Sequence, residues 1–312
     1  MDSFWVALGV VAPMALLMLI GGLCRKAGII ERDTMKKVDK LLFRLFMPVL
    51  LFRNICHADF QTDFSVKLMG FVLAMLMVIF IMAWTIPKHL VKDHNQAASI
   101  GQGMIRSNYI LFGIAVTESI YGDGHAAMVA LLGAVVVPLT NALSVIILEV
   151  NRSGKAGFGK IFISILKNPM VMAGILGVAV KLIGIPIPSM LMGVIDDLAD
   201  VTTTLSFISL GVSLNMGELK HNRYPLTVGL LLRMVLIPLI FLPISVACGF
   251  RNQELCALMI LFAAPCAVAS YPMAVAMGAD GPLSGQLVVT TTLTSILTMF
   301  LFTFLFRSIG LL

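Results

Sequence analysis

The chain has 312 residues, of which 59% are apolar and only 12% charged, against roughly 25% charged in an ordinary soluble domain. A mean hydropathy of +1.00 spreads that surplus along the whole length and excludes a soluble fold, because single cores stop growing at about this size. The net charge of +6 is distributed over short loops, not gathered into one basic patch, so it points to membrane orientation and away from nucleic acid.

A spanning helix needs about 20 apolar residues. Stretches of that kind fall at 4–24, 38–56, 66–86, 97–121, 125–149, 166–186, 190–213, 226–249, 255–278 and 283–308. Helix is the open form that satisfies every backbone group in lipid, so the expected fold is an all-α integral membrane protein with ten transmembrane helices. The start, Met1-Asp2-Ser3-Phe4-Trp5, lacks a basic region before its apolar run and reads as an uncleaved first span. The longest polar link, 150–165, divides the chain into repeats at 1–153 and 154–312. Alternate loops carry fourteen and five Lys and Arg residues. The positive-inside rule then puts both termini outside and the central link in the cytoplasm of a bacterial-type plasma membrane.

The halves resemble each other. Pro13-Met14, Gly21, Arg25 and Gly28-Ile29 match Pro169-Met170, Gly177, Lys181 and Gly184-Ile185 at an offset of 156 without a gap. Asp123-Gly124 matches Asp280-Gly281 at an offset of 157. Each half holds five spans, an odd number, so the second enters the membrane from the opposite side. Inverted repeats of this kind mark secondary transporters, with the substrate held at broken helices near the midplane.

Two spans carry the expected breaks. The centre of the fourth reads Arg106-Ser107-Asn108-Tyr109, and polar groups at that depth need partners or water. The ninth holds Pro265 within Ala263-Ala264-Pro265-Cys266-Ala267, and proline both removes a backbone donor and clashes with the preceding turn. At an offset of 157, Asn108 falls opposite Pro265. Taken singly, Pro265 reads equally as a kink and Asn108 as glue between helices. As a symmetric pair they predict crossing half-helices whose positive N-termini favour an anion.

Among the other charges, Arg44 sits near a span end and reads as snorkelling; Arg233 reads equally as snorkelling and as a source of positive potential, and Arg106, deeper in its span, reads as a charge near the substrate path. Asp196, Asp197 and Asp200 open the seventh span; they read as a solvated, helix-capping cluster, with a proton or cation site as the rival. Glu118 belongs to that same rival. The five cysteines and five histidines show no metal spacing, and no catalytic motif stands out. Neither a metal, a cofactor nor an enzymatic activity is expected.

At the two breaks the sequence resembles the auxin efflux carrier family, which includes plant auxin exporters and bacterial malonate carriers. The stretch Asn108-Tyr109-Ile110-Leu111-Phe112-Gly113-Ile114 is similar to the family's N-T-L-V-M-G-I-P. Ala263-Ala264-Pro265-Cys266-Ala267-Val268 is similar to its A-L-P-Q-G-I, and Pro48-Val49-Leu50-Leu51-Phe52 to its P-L-L-S-F. Ser107, Ala115 and Cys266 depart from the plant pattern, which leaves an auxin-like substrate open. The resemblance implies a scaffold of helices 1, 2, 6 and 7, a transport domain of helices 3–5 and 8–10, and an elevator-like movement carrying an organic anion. The expected substrate is a carboxylate held by Asn108, Tyr109, Pro265, Cys266 and Ala267 with Arg106 or Arg233. The expected partners are the lipid bilayer and a second copy bound through the scaffold helices. The rivals are a cation-coupled or cation–proton carrier of similar build and a membrane receptor without a transport cycle.

Overall fold

The computed structural model describes residues 2–57, 65–122, 125–153, 158–214 and 222–312. Asp123-Gly124, one side of a repeat match, and Lys155 of the central link lie outside those residues. The described residues form helices in ten segments, with one isolated two-residue bridge and no strand.

Helix α1 is Asp2–Lys26. Helix α2 covers 32–56 as Arg32–Leu41, a π-turn at Leu42–Phe46 and Met47–Cys56. Helix α3 is Val66–Leu90. The fourth segment is broken into α4a, His94–Ile105, and α4b, Tyr109–Tyr121, and α5 is Ala127–Ser153. The sixth comes in two pieces, α6a (Phe158–Leu166) and α6b (Pro169–Ile183), and α7 is Ser189–Ser213. Helix α8, Arg223–Ala247, contains a π-turn at Leu232–Leu236. The ninth segment is broken into α9a, Asn252–Ala263, and α9b, Ser270–Met277, before α10, Gly281–Ser308.

Local chemistry sets several of these starts. Ser65, Asp93, Asn168 and Asp280 each accept a hydrogen bond from a first-turn amide of α3, α4a, α6b and α10, satisfying donors that a helix start leaves open. The sixth segment, expected as a span at 166–186, starts earlier, at Phe158. It breaks at Lys167-Asn168 because Asn168 caps a new helix whose first residue, Pro169, has no amide to offer. The link expected at 150–165 is also shorter, since α5 runs on to Ser153 and helix resumes at Phe158.

The inverted repeat is visible in the element bounds. Helices α2 and α7 occupy 32–56 and 189–213, and α3 and α8 occupy 66–90 and 223–247, a displacement of 157 residues at every end. Half-helices α4a and α9a have 12 residues each. The gapless sequence match has a packing cause. A Cβ on Gly21 would stand 2.2 Å from the Ile208 carbonyl oxygen of α7, so α1 and α7 touch backbone to backbone. The matching Gly177 packs α6b against Ile55 of α2. Arg25 at the end of α1 donates to the carbonyls of Val212, in the last turn of α7, and Leu214, just past it, at 3.1 and 2.7 Å. The matching Lys181 donates to the Cys56 carbonyl at the end of α2, at 2.9 Å. One basic residue in each repeat thus covers the open carbonyl end of the partner repeat's helix.

Helices α1, α2, α6b and α7 pack on one another, and α3, α4a and α5 form a second set to which α8, α9a and α10 correspond. Four helices, α3, α5 (as Ala127–Val150), α8 and α10, are long and apolar enough to cross a membrane by length and composition. Large apolar side chains remain on the outer faces, including Leu182 and Met190, each 82% exposed. Such a surface suits lipid, not water.

Candidate functional site

The two breaks meet. Asn108 donates its amide to the Pro265 carbonyl at 2.9 Å, and Ala267 donates to the Arg106 carbonyl at 3.0 Å. Ser107 and Cys266 form the antiparallel bridge between them. Proline forces the preceding residue into extended backbone, and Ala264 has φ −67° and ψ 154°. Two extended strips of a few residues therefore satisfy each other where neither could continue as helix.

The crossing leaves four half-helix ends near one point, and the arginines divide them. Arg233 is buried and gives Nε–H to Ala264, Nη1–H to Met104 and Nη2–H to Leu261 and Ala264, over 2.6–3.2 Å. Its guanidinium thereby covers the carbonyl, negative ends of both α4a and α9a. Arg106, also buried, donates to the Ala269 carbonyl at 3.1 Å and lies against the Met273 sulfur. The amide, positive ends of α4b and α9b have no acidic side chain in their first turns.

Those amide ends open on a cavity of about 230 Å³. One wall is Arg106 to Leu111 and Ala267 to Ala269; the facing wall is Met47, Arg53 and Asn54 of α2, Met170 of α6b and Thr203 of α7; Thr140 and Asn141 of α5 close a side. Among the described residues its lining includes two arginines and no carboxylate. Three buried polar atoms on lining residues have no hydrogen-bond partner: Asn108 Nδ2, Tyr109 Oη and Asn141 Oδ1. Asn108 is the residue before α4b but its side chain makes no capping bond, so the amide is left for something else.

Of the residues singled out in the sequence, Asn108, Tyr109, Arg106 and Ala267 line this cavity, whereas Pro265, Cys266 and Arg233 do not. The Pro265 carbonyl is taken by Asn108, and Cys266 is tied to Thr291 through its amide and to the Gly103 carbonyl through its thiol. The carboxylates lie elsewhere. Asp196 faces His57 at 3.8 Å and Asp200 pairs with Arg53. Asp196, Asp197 and Asp200 do not cap α7, which starts seven residues earlier at Ser189. Glu118 lies near the far end of α4b, its carbonyl accepting from Gly122. Sequence reasoning passed over Asn141, although an amide inside an apolar span is itself a signal. It also counted Arg53 as a loop residue, and the structure places it on the cavity wall.

Ten helical segments in two inverted halves, with two of them broken at a shared crossing, define the class of membrane transporters built on inverted repeats. The model of the membrane transport protein family matches residues 6–303. The chain belongs to that family, the auxin efflux carrier family that its crossing motifs resemble. Relatives include the uncharacterized transporter YfdV of Escherichia coli, 23% identical over 265 residues and covering 83% of this chain and 84% of that one. The uncharacterized transporter MJ1031 of Methanocaldococcus jannaschii is 23% identical over 303 residues, covering 94% and 97%. Among solved structures, the sodium proton antiporter MjNhaP1 from Methanocaldococcus jannaschii superposes with a TM-score of 0.61 over 96% of both chains at 13% identity. That likeness is one of fold.

Proposed function

We propose that this membrane transporter is a secondary carrier of small organic anions, with a carboxylate bound at the crossing. The observation that carries the reading is the cavity lining: Arg106, Arg53 in its pair with Asp200, the amide ends of two half-helices and the unpartnered Asn108 side-chain amide, with no carboxylate among the described lining residues. Each helix N-terminus contributes about half a positive charge, and buried amide donors without partners are costly unless a ligand uses them. A volume of about 230 Å³ falls below the roughly 300 Å³ at which drug-sized pockets begin, so the substrate is small.

The cavity lies between the two helix sets, α2, α6b and α7 on one side and α4, α5 and α9 on the other. That placement supports an elevator-like cycle in which α3–α5 and α8–α10 move past a scaffold of α1, α2, α6 and α7, itself the interface of a homodimer. The central link is assigned to the cytoplasm of a plasma membrane. Single cysteines placed in 150–165 should react only with reagents that enter the cell, and labelling from outside overturns that orientation.

The second reading, cation–proton exchange, is favoured by the fold shared with MjNhaP1. The positions of Asp196, Asp197 and Glu118 outside the cavity lining count against it. A melting screen of the purified protein separates the two. A carboxylate at a hundred times its dissociation constant should stabilise the fold by about 2.7 kcal/mol, with no such effect from sodium or lithium. Stabilisation by the cations alone overturns the anion reading.

A further inference from the structure

Asp39 is the most deeply buried acid among the described residues, with a relative exposure of 0%. It sits on α2, seven residues after the helix begins at Arg32, where α2 packs against α7 and against half-helix α9b. Ser209 of α7 donates its hydroxyl to Asp39 Oδ1. The Tyr271 phenol of α9b lies against the same carboxyl and against Ser213 of α7. Oδ2 has no hydrogen-bond partner. The site therefore joins two scaffold helices to the half-helix that starts just after the cavity residues Ala267 to Ala269.

Among the described residues, none forms an ion pair with this carboxyl. Arg25 and Arg32 are turned to the carbonyls of Val212 and Leu214. Lys36 pairs with Asp33, and Lys37 and Lys40 are exposed. The acids of α7, Asp196, Asp197 and Asp200, lie more than two turns away along that helix. Tyr271 is the titratable group that α9b brings to the site. A carboxylate without a counter-charge in a dry interior costs several kcal/mol, and such groups neutralise instead. A proton on Oδ2 removes the charge, and Ser209 can go on donating to Oδ1, since a neutral carboxyl both donates and accepts.

We propose that Asp39 is a proton-binding site that holds α9b against α2 and α7 while protonated, so that proton binding is coupled to the movement of the crossing. The proton enters from water at the end of the molecule carrying Lys36, Lys37 and Lys40 and returns there when α9b separates and leaves the carboxylate hydrated. The inference rests on the reading of the protein as a carrier, but its test needs no substrate, so the two fail separately.

The test uses the full chain in lipid nanodiscs, with acid–alkaline infrared difference spectra and melting curves taken across pH. The wild type should show the carbonyl stretch of a protonated carboxyl on the acid side of neutral, above the pH at which an exposed carboxyl has ionised, and lose it as the pH rises further. Its melting temperature should fall as the pH rises from the unfolded carboxyl range, about 4, and level off once the band is gone, because between those limits the folded state holds a proton that the unfolded chain has lost. Asp39→Asn should lose both the band and the pH dependence, and Asp33→Asn, the exposed acid on the same helix, should keep both. If Asp39→Asn does not fold, Ser209→Ala should shift the band and the pH at which it disappears. No band in the wild type, or a band that survives in Asp39→Asn, overturns the proposal. So does a band abolished at constant pH by replacing choline with sodium, which would make the site a cation site.

Discussion

Arg233→Met separates a structural guanidinium from a substrate-binding one. In the folded protein Arg233 makes four hydrogen bonds to three carbonyls, those of Met104, Leu261 and Ala264. Methionine fills a similar volume but leaves those acceptors, at the negative ends of α4a and α9a, without a donor. Hydrogen bonds to a charged group are each worth about 1.5–3 kcal/mol, and their sum is offset by no longer burying a charge. Removing one partner of a buried charged arrangement costs about 3–5 kcal/mol. At roughly 2–4 °C per kcal/mol for chains of this order of size, the melting temperature should fall by roughly 6–20 °C. Arg233→Lys should fall between the two, because an ammonium keeps the charge but does not span three carbonyls as a planar fork does. The assay is a thermal melt of purified variants in one detergent, with affinity for a stabilising carboxylate measured on the same samples. Unchanged melting with lost affinity would refute the reasoning and place Arg233 on the substrate.

Gly211→Ala tests the scaffold contact: the added Cβ would stand 2.0 Å from the Met18 carbonyl oxygen, so α1 and α7 must separate. Overpacking of this kind costs about 1–3 kcal/mol, and a melt matching the wild type would contradict the contact. Asn141→Ala removes a buried cavity amide whose Oδ1 has no protein partner. An ionised carboxylate has no proton for that oxygen, so the ligand-free protein should melt no lower than the wild type and carboxylate affinity should stay within about twofold of it, measured by titration calorimetry; a loss of about tenfold or more would contradict this.

The spans were legible because lipid demands apolar length, and the breaks because Arg106 to Tyr109 and Pro265 violate that demand in the middle of a span. The repeat was legible because Gly21 and Gly177 are fixed by close helix contact and Arg25 and Lys181 by carbonyl ends. What stayed hidden depends on which way a side chain faces. Asn141 lies inside a span whose residues read alike from composition, and Arg53 belongs to the cavity through the approach of α7, which carries its partner Asp200. Asp39 stands at the end of a polar run, one residue inside the expected start of the second span at 38. Helix α2 begins six residues earlier, at Arg32, and turns Met35 and Asp39 inward. Arg233 was legible as a deep charge but not as a clamp, since its three carbonyls come from α4a and from the end of α9a, far away in sequence.

The anion-binding claim is tested most directly by the affinity of purified Asn108→Ala for a carboxylate that stabilises the wild type in the melting screen. Asn108 Nδ2 is buried, lines the cavity wall formed by the crossing and has no partner in the protein. Loss of one hydrogen bond to a charged ligand, worth about 1.5–3 kcal/mol, should weaken binding roughly 10- to 150-fold while the ligand-free melting temperature stays at the wild-type value. Binding at wild-type affinity in Asn108→Ala would contradict the account and place the anion away from the crossing.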